Sequence, residues 1–154
     1  MGTKHPDYAQ SLNNLANLYR DMGNFEQAEK YYLESKAIWE KVYGKEHPDY
    51  AHNLDNMAIL YMSSGKYEKA EPLFLEGKAI REKTLGKEHP TYTANVNNLA
   101  KLFQKQSRFL EAEPLLEEGL TLAQKRLAHS ASFLSEQELG KYAANFEESG
   151  NNLN

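Results

Sequence analysis

Histidine followed by proline and aspartate occurs at His5-Pro6-Asp7 and again at His47-Pro48-Asp49, and a third pair, His89-Pro90, is followed by Thr91. A histidine beside a carboxylate could serve general acid-base catalysis or metal binding. Here the pairing recurs every 42 residues. In successive packed units the three imidazoles would stand at least roughly 8–10 Å apart, too far for ligands that each lie about 2 Å from one ion. No metal site is expected. A proline at the start of a helix, with an acidic side chain in its first turn, accounts for the tripeptide without chemistry. No nucleophile, base and orienting carboxylate share a motif spacing, and no glycine-rich phosphate loop follows a strand. The expectation is a protein that is not an enzyme, with no catalytic residue and no cofactor.

Composition narrows the partners. The 154 residues carry 18 lysines and arginines against 22 acidic residues, a net charge of -4, so there is no basic excess to neutralise phosphates and nucleic acid is not an expected partner. With no cysteine, disulfides and thiolate zinc sites are excluded. The longest apolar run, Met57 to Met62, is far short of a membrane span, and no basic segment followed by an apolar core opens the chain. A cytoplasmic protein without membrane contact is expected.

The elements that position these residues follow from an internal repeat. Residues 5–46 laid over 47–88 give 24 identities in 42 positions, too dense a match for shared helical composition alone, and a third copy runs over 89–130. In each copy an apolar stripe at helical spacing marks a first helix, A: Leu12, Leu15, Ala16 and Tyr19; Leu54, Met57, Ala58 and Tyr61; Val96, Leu99, Ala100 and Phe103. Gly23, Gly65 and Ser107 then stand where a left-handed residue ends a helix. A second helix, B, carries Phe25, Ala28 and Tyr32 with their counterparts 42 residues on. Small residues at Ala16, Ala28 and Ser35, and at Gly77 and Gly119, predict close helix approach. Each copy is one helical hairpin. Pro72 and Pro114 fall beyond the first turn of helix B and predict a local bend there. Further on, Ser135-Glu136-Gln137-Glu138 has the form of a capping box ahead of Leu139, Tyr142, Ala143 and Phe146, which predicts a capping or half-repeat helix over 134–149. A start at a repeat boundary and a stop after a half repeat predict a piece of a longer protein.

The order of small and aromatic residues in the two helices resembles the tetratricopeptide repeat. The 42-residue period and the His-Pro-Asp-Tyr-Ala opening, followed by Leu12-Asn13-Asn14-Leu15-Ala16, are similar to the long variant found in kinesin light chains and in many bacterial repeat proteins. That resemblance implies an all-α, right-handed superhelical solenoid of antiparallel helix pairs, with three repeats at 5–46, 47–88 and 89–130 plus a fourth helix. It also implies a concave groove lined by the A helices. The matching positions are Gln10, Asn13, Asn14, Asn17 and Arg20; then His52, Asp55, Asn56, Ile59 and Met62; then Asn97, Asn98, Lys101, Gln104 and Lys105. Asn14, Asn56 and Asn98 are identical across the repeats, and an amide can both donate to and accept from a peptide backbone. They could equally bond to neighbouring helices and hold the repeat geometry.

Lys101 and Lys105, one turn apart, would make the third repeat's groove positive beside an apolar patch of Ile59 and Met62, so an acidic peptide with an apolar anchor would fit. Gln10 and Ala94 stand where clamps for chaperone C-termini carry a basic residue, which speaks against that ligand. The His-Pro-Asp tripeptides are similar to the signature of J-domain cochaperones, but their recurrence in phase with the repeat has the structural explanation given above. Two alternatives to a groove-binding module are a repeat arm of a larger protein and self-association through exposed repeat ends. The stretch Ser132 to Leu139 resembles the connection to caspase-like proteases of the CHAT type, which gives the first alternative its form.

Overall fold

The computed structural model describes residues 5–150, with the side chains of 134, 135 and 137–150 excepted. Six helices and no strand occur among them: α1 (Pro6–Asp21), α2 (Phe25–Tyr43), α3 (Pro48–Ser63), α4 (Tyr67–Thr84), α5 (Pro90–Lys105) and α6 (Phe109–Gly150). None is long and apolar enough to cross a membrane.

The chemistry suspected at the histidines is spent on starting helices. His5, His47 and His89 are the N-caps of α1, α3 and α5, and each Nδ1 accepts the backbone N–H two residues on, at 3.2, 3.2 and 3.3 Å. Proline follows at the first helical position, where the missing N–H costs nothing. Each A helix ends in the same device. Gly23, Gly65 and Ser107 take φ of 75°, 74° and 60°, and the next N–H returns to the carbonyl five residues earlier, at Tyr19, Tyr61 and Phe103. Ser107 holds this left-handed conformation with a Cβ that glycine avoids. α4 and α6 run on through the exposed Pro72 and Pro114.

The first unit of the molecule extends to Gly119 and holds three hairpins: α1 with α2, α3 with α4, and α5 with the start of α6. Within each hairpin a tyrosine of helix A donates to a glutamate of helix B: Tyr8 to Glu34, Tyr50 to Glu76 and Tyr92 to Glu118, at 3.2, 3.3 and 2.8 Å. Between hairpins, α2 packs on α3 and α4 on α5, while α1 touches α3 and α3 touches α5, so the A helices form a continuous row. The alanines expected at close approaches are buried throughout, and Ser35 Oγ donates to the carbonyl of Ala9 at 2.8 Å.

The second unit begins at Leu120 and continues α6. The helix start expected at Ser135 is not present, because α6 runs unbroken from Phe109 to Gly150 and Ser135 lies inside it. The physical reason lies in the sequence one period after the earlier junctions. Ala128, Ala131 and Ser132 occupy the positions of Gly86, His89 and Pro90, so the residues that stop one helix and cap the next are missing. Ser132 Oγ instead donates back to the carbonyl of Ala128 at 3.0 Å, as a helix-interior serine does. Leu139, Tyr142, Ala143 and Phe146 lie outside the described side chains.

Candidate functional site

The row formed by α1, α3 and α5 carries every position expected to line a groove, and packing divides them. Asn14, His52, Asn97, Lys101, Gln104 and Lys105 are exposed, and Gln10, Asn17, Arg20, Ile59 and Asn98 are half-buried. Asn13, Asp55, Asn56 and Met62 are turned inward, with Met62 inside the main apolar cluster, so the apolar surface expected of Ile59 and Met62 comes down to Ile59.

The inward residues form a polar seam between repeats. Asn13 Oδ1 accepts from Asn53 Nδ2 at 3.3 Å and from Asn56 Nδ2 at 3.1 Å, tying the first repeat to the second. One period on, Asp55 Oδ1 accepts from Asn95 Nδ2 at 2.7 Å, and Asn95 also donates to the carbonyl of Phe74 at 3.1 Å. Asn56 therefore holds repeat geometry, whereas its counterparts Asn14 and Asn98 remain accessible. Asn17 and Arg20 are engaged within their own hairpin. The hydroxyl of Tyr32 donates to Asn17 Oδ1 at 2.6 Å, and Arg20 Nη1 lies 3.3 Å from that hydroxyl, whose pKa burial pushes up to about 12.

At the second repeat the seam becomes ionic. Arg81 Nη2 lies 2.8 Å from Asp55 Oδ2, its Nη1 donates to the carbonyl of Gly77 at 3.0 Å, and both side chains are buried. Burial raises the Asp55 carboxyl to about pH 6, against the opposing pull of Arg81 and Asn95. Desolvation and the nearby guanidinium together hold His52 below the usual histidine range. Gly77 makes room for this arrangement, since a Cβ there would lie 2.7 Å from Asp55 Oδ1.

Arg81 also accounts for an open cleft of about 460 Å³ at the junction of the second and third repeats, with Gln10, Pro48, His52, Leu85 and His89 on its walls. The corresponding place at the first junction is occupied by the protein itself. His47 stacks on Tyr43 at 4.4 Å and on Trp39 at 5.9 Å between centroids. Arg81 and Leu85 replace those two rings one period later, leaving His89 beside a hollow. Sequence reasoning placed Gln10 and His52 here and missed Arg81, Leu85 and His89. The signal was present: Asn13 to Asp55 and Trp39 to Arg81 are two departures from the repeat, one negative and one positive. No group of three or more histidines and carboxylates among the described residues could hold a metal ion.

The sequence matches the tetratricopeptide repeat family over residues 7–83 and, overlapping, over 51–125. The chain belongs to the tetratricopeptide repeat family, whose members are in general protein-interaction modules built as scaffolds. It is similar to two crystal structures of a candidate kinesin light chain of Podosopora anserina with nearly identical TPR-like repeats. These are 30% and 29% identical, with TM-scores of 0.72 and 0.69 over 83% and 82% of this chain. BtubC (BKLC) from P. vanneervenii shares the fold, with a TM-score of 0.73 over 79% of the chain at 23% identity. The chain spans 60% of the length of the first two structures and 48% of the third. No curated protein matches the sequence significantly.

Proposed function

We propose that the row of A helices is a docking groove for a segment of another protein, and that the segment is acidic with an apolar anchor. The observation that carries this reading is the exposed set in the third repeat. Lys101 and Lys105 lie one helical turn apart on α5, and neither forms an ion pair among the described residues. Elsewhere on the chain charges are widely paired, as at Arg108 with Glu71 and Glu111, Lys78 with Glu118, and Arg81 with Asp55. The two ammonium groups would meet carboxylates, the accessible Asn14, Asn97 and Asn98 would bond to an extended backbone, and Ile59 would meet the anchor.

The test uses a fluorescent peptide of alternating glutamate and leucine, with an uncharged glutamine-leucine peptide beside it. Lys101→Glu with Lys105→Glu should weaken binding of the acidic peptide by about tenfold, the order expected for two exposed charge reversals, and salt should weaken wild-type binding. Equal affinity of both peptides for wild type, or an unaffected double variant, rejects the acidic groove.

A further inference from the structure

The first junction between repeats closes on three rings. Trp39 and Tyr43, one turn apart on α2, stack at 5.8 Å between centroids, and His47 at the start of α3 lies against both. Trp39 is 5% exposed and belongs to the apolar cluster of that junction, so its indole is part of the filling. One period later His89 keeps the capping role of His47, accepting the N–H of Thr91 at 3.3 Å. The two ring positions beside it now hold Arg81 and Leu85, and the space is the open cleft of about 460 Å³. The repeats on both sides of this cleft are in place, and a further repeat at either end would stack elsewhere.

The chemistry of the walls selects a flat, uncharged group. A volume of about 460 Å³ lies within the roughly 300–1,000 Å³ of small-ligand sites. The Arg81 guanidinium is neutralised by Asp55 at 2.8 Å and bonded to the Gly77 carbonyl, which leaves it little pull on an anion but keeps a planar face on which a ring can stack. His52 is uncharged as well. Its Nε2 lies 3.2 Å from Asn56 Nδ2, and because an amide NH2 only donates, that nitrogen accepts and carries no proton. Pro48 and Leu85 add apolar wall, and Gln10 and Asp49 bring oxygen acceptors that suit an indole N–H or a phenol O–H.

We propose that the cleft between the second and third repeats is a slot for one aromatic side chain, tryptophan or tyrosine, of a partner protein, which stacks on His89 as Tyr43 and Trp39 stack on His47. The occupant is aromatic because the chain itself fills the equivalent place with rings, and the two substitutions that empty it leave the imidazole that faced them. The slot is formed by the C-terminal end of α4 and the N-terminal ends of α3 and α5, and its chemistry uses neither Lys101 nor Lys105. It therefore stands or falls apart from the acidic groove.

The probe is N-acetyl-tryptophanamide, which has a ring and no charge, with N-acetyl-leucinamide as the aliphatic control. Amide spectra of the ¹⁵N-labelled chain are followed up to about 10 mM of each, because one buried ring gives affinities in the millimolar range. The tryptophan amide should shift His52, Leu85, His89 and Thr91 saturably, leave Tyr43 and His47 in place, and outdo the leucine amide. Leu85→Tyr puts at a surface position the residue that the first repeat carries in the same register, and it should abolish these shifts by filling the slot. His89→Asn keeps a capping side chain but removes the stacking ring, and it should weaken binding by about two- to tenfold. Absence of shifts at these four residues, equal shifts with the leucine amide, or an unchanged response in both variants at wild-type helicity would each overturn the proposal.

Discussion

Asp55 and Arg81 form a pair whose energetics depend on both members being present. Removing one partner of a buried ion pair leaves a charge without water or counter-charge and typically costs about 3–5 kcal/mol, whereas replacing both with uncharged residues is often near neutral. Arg81→Ala should therefore destabilise by about that amount in urea unfolding, while Asp55→Asn with Arg81→Leu should stay within about 1–2 kcal/mol of wild type. The pH dependence has an unusual sign for an aspartate. Its folded pKa of about 6 lies above the 3.8 of an ordinary aspartate, so the folded state binds this proton more tightly than the unfolded one. The stability linked to Asp55 is thus present in full below the lower value and is lost as pH rises through about 6. Relative to Asp55→Asn, wild type should gain stability as pH falls from 7 to 5 in parallel denaturant titrations. No change in the difference between the two proteins would place Asp55 in the ordinary carboxylate range.

Helix B of each repeat must pass close over the seam, and the smallest residues mark where. Gly77 and Gly119 occupy equivalent positions, yet the same substitution should have opposite effects at them. A Cβ at Gly77 would meet Asp55 Oδ1 at 2.7 Å and Arg81 Nη1 at 3.0 Å, both held in the buried pair. Gly77→Ala should lower stability by about 1–3 kcal/mol, the usual cost of overpacking. At Gly119 the close contact is Asn97 Oδ1, the end of an exposed side chain that can rotate away. Gly119→Ala should then be neutral or stabilising by up to about 1 kcal/mol through helix propensity. Thermal unfolding of both variants checks the pair, and equal losses would contradict this reading of the seam. The element boundaries obey equally local rules. Glycine, histidine and proline at Gly44, His47 and Pro48 separate two helices, and their loss at Ala128, Ala131 and Ser132 lets α6 continue.

For the whole molecule, the repeat was the strongest signal in the sequence, because 24 identities at a period of 42 fix the phase of every helix at once. The hairpins, the left-handed stops at Gly23, Gly65 and Ser107, and the buried alanines were all legible from spacing. The course of α6 was not, because a capping-box sequence at Ser135 specifies a start only where the preceding residues stop a helix, and these do not. The candidate groove was half legible. Periodicity gave the row of A-helix positions, but it did not separate residues facing solvent from Asn13 and Asp55, one residue round the helix, or from Asn56, which shares the register of Asn14 and Asn98 yet bonds to the neighbouring repeat. Arg81 escaped notice because it comes from helix B and enters the row only through its pairing with Asp55. Asn56→Ala is for the same reason a probe of packing, and Lys101 and Lys105 are the residues that report on the groove. The most direct test of the interaction-module account is to titrate the ¹⁵N-labelled chain with the glutamate-leucine peptide and follow amide shifts along the sequence. The account predicts perturbations grouped on the A-helix row, at Asn14, His52, Ile59, Asn98, Lys101 and Lys105, with the outward residues of α2 and α4 unchanged. Perturbations confined to helix B, or none at saturating peptide, would contradict it.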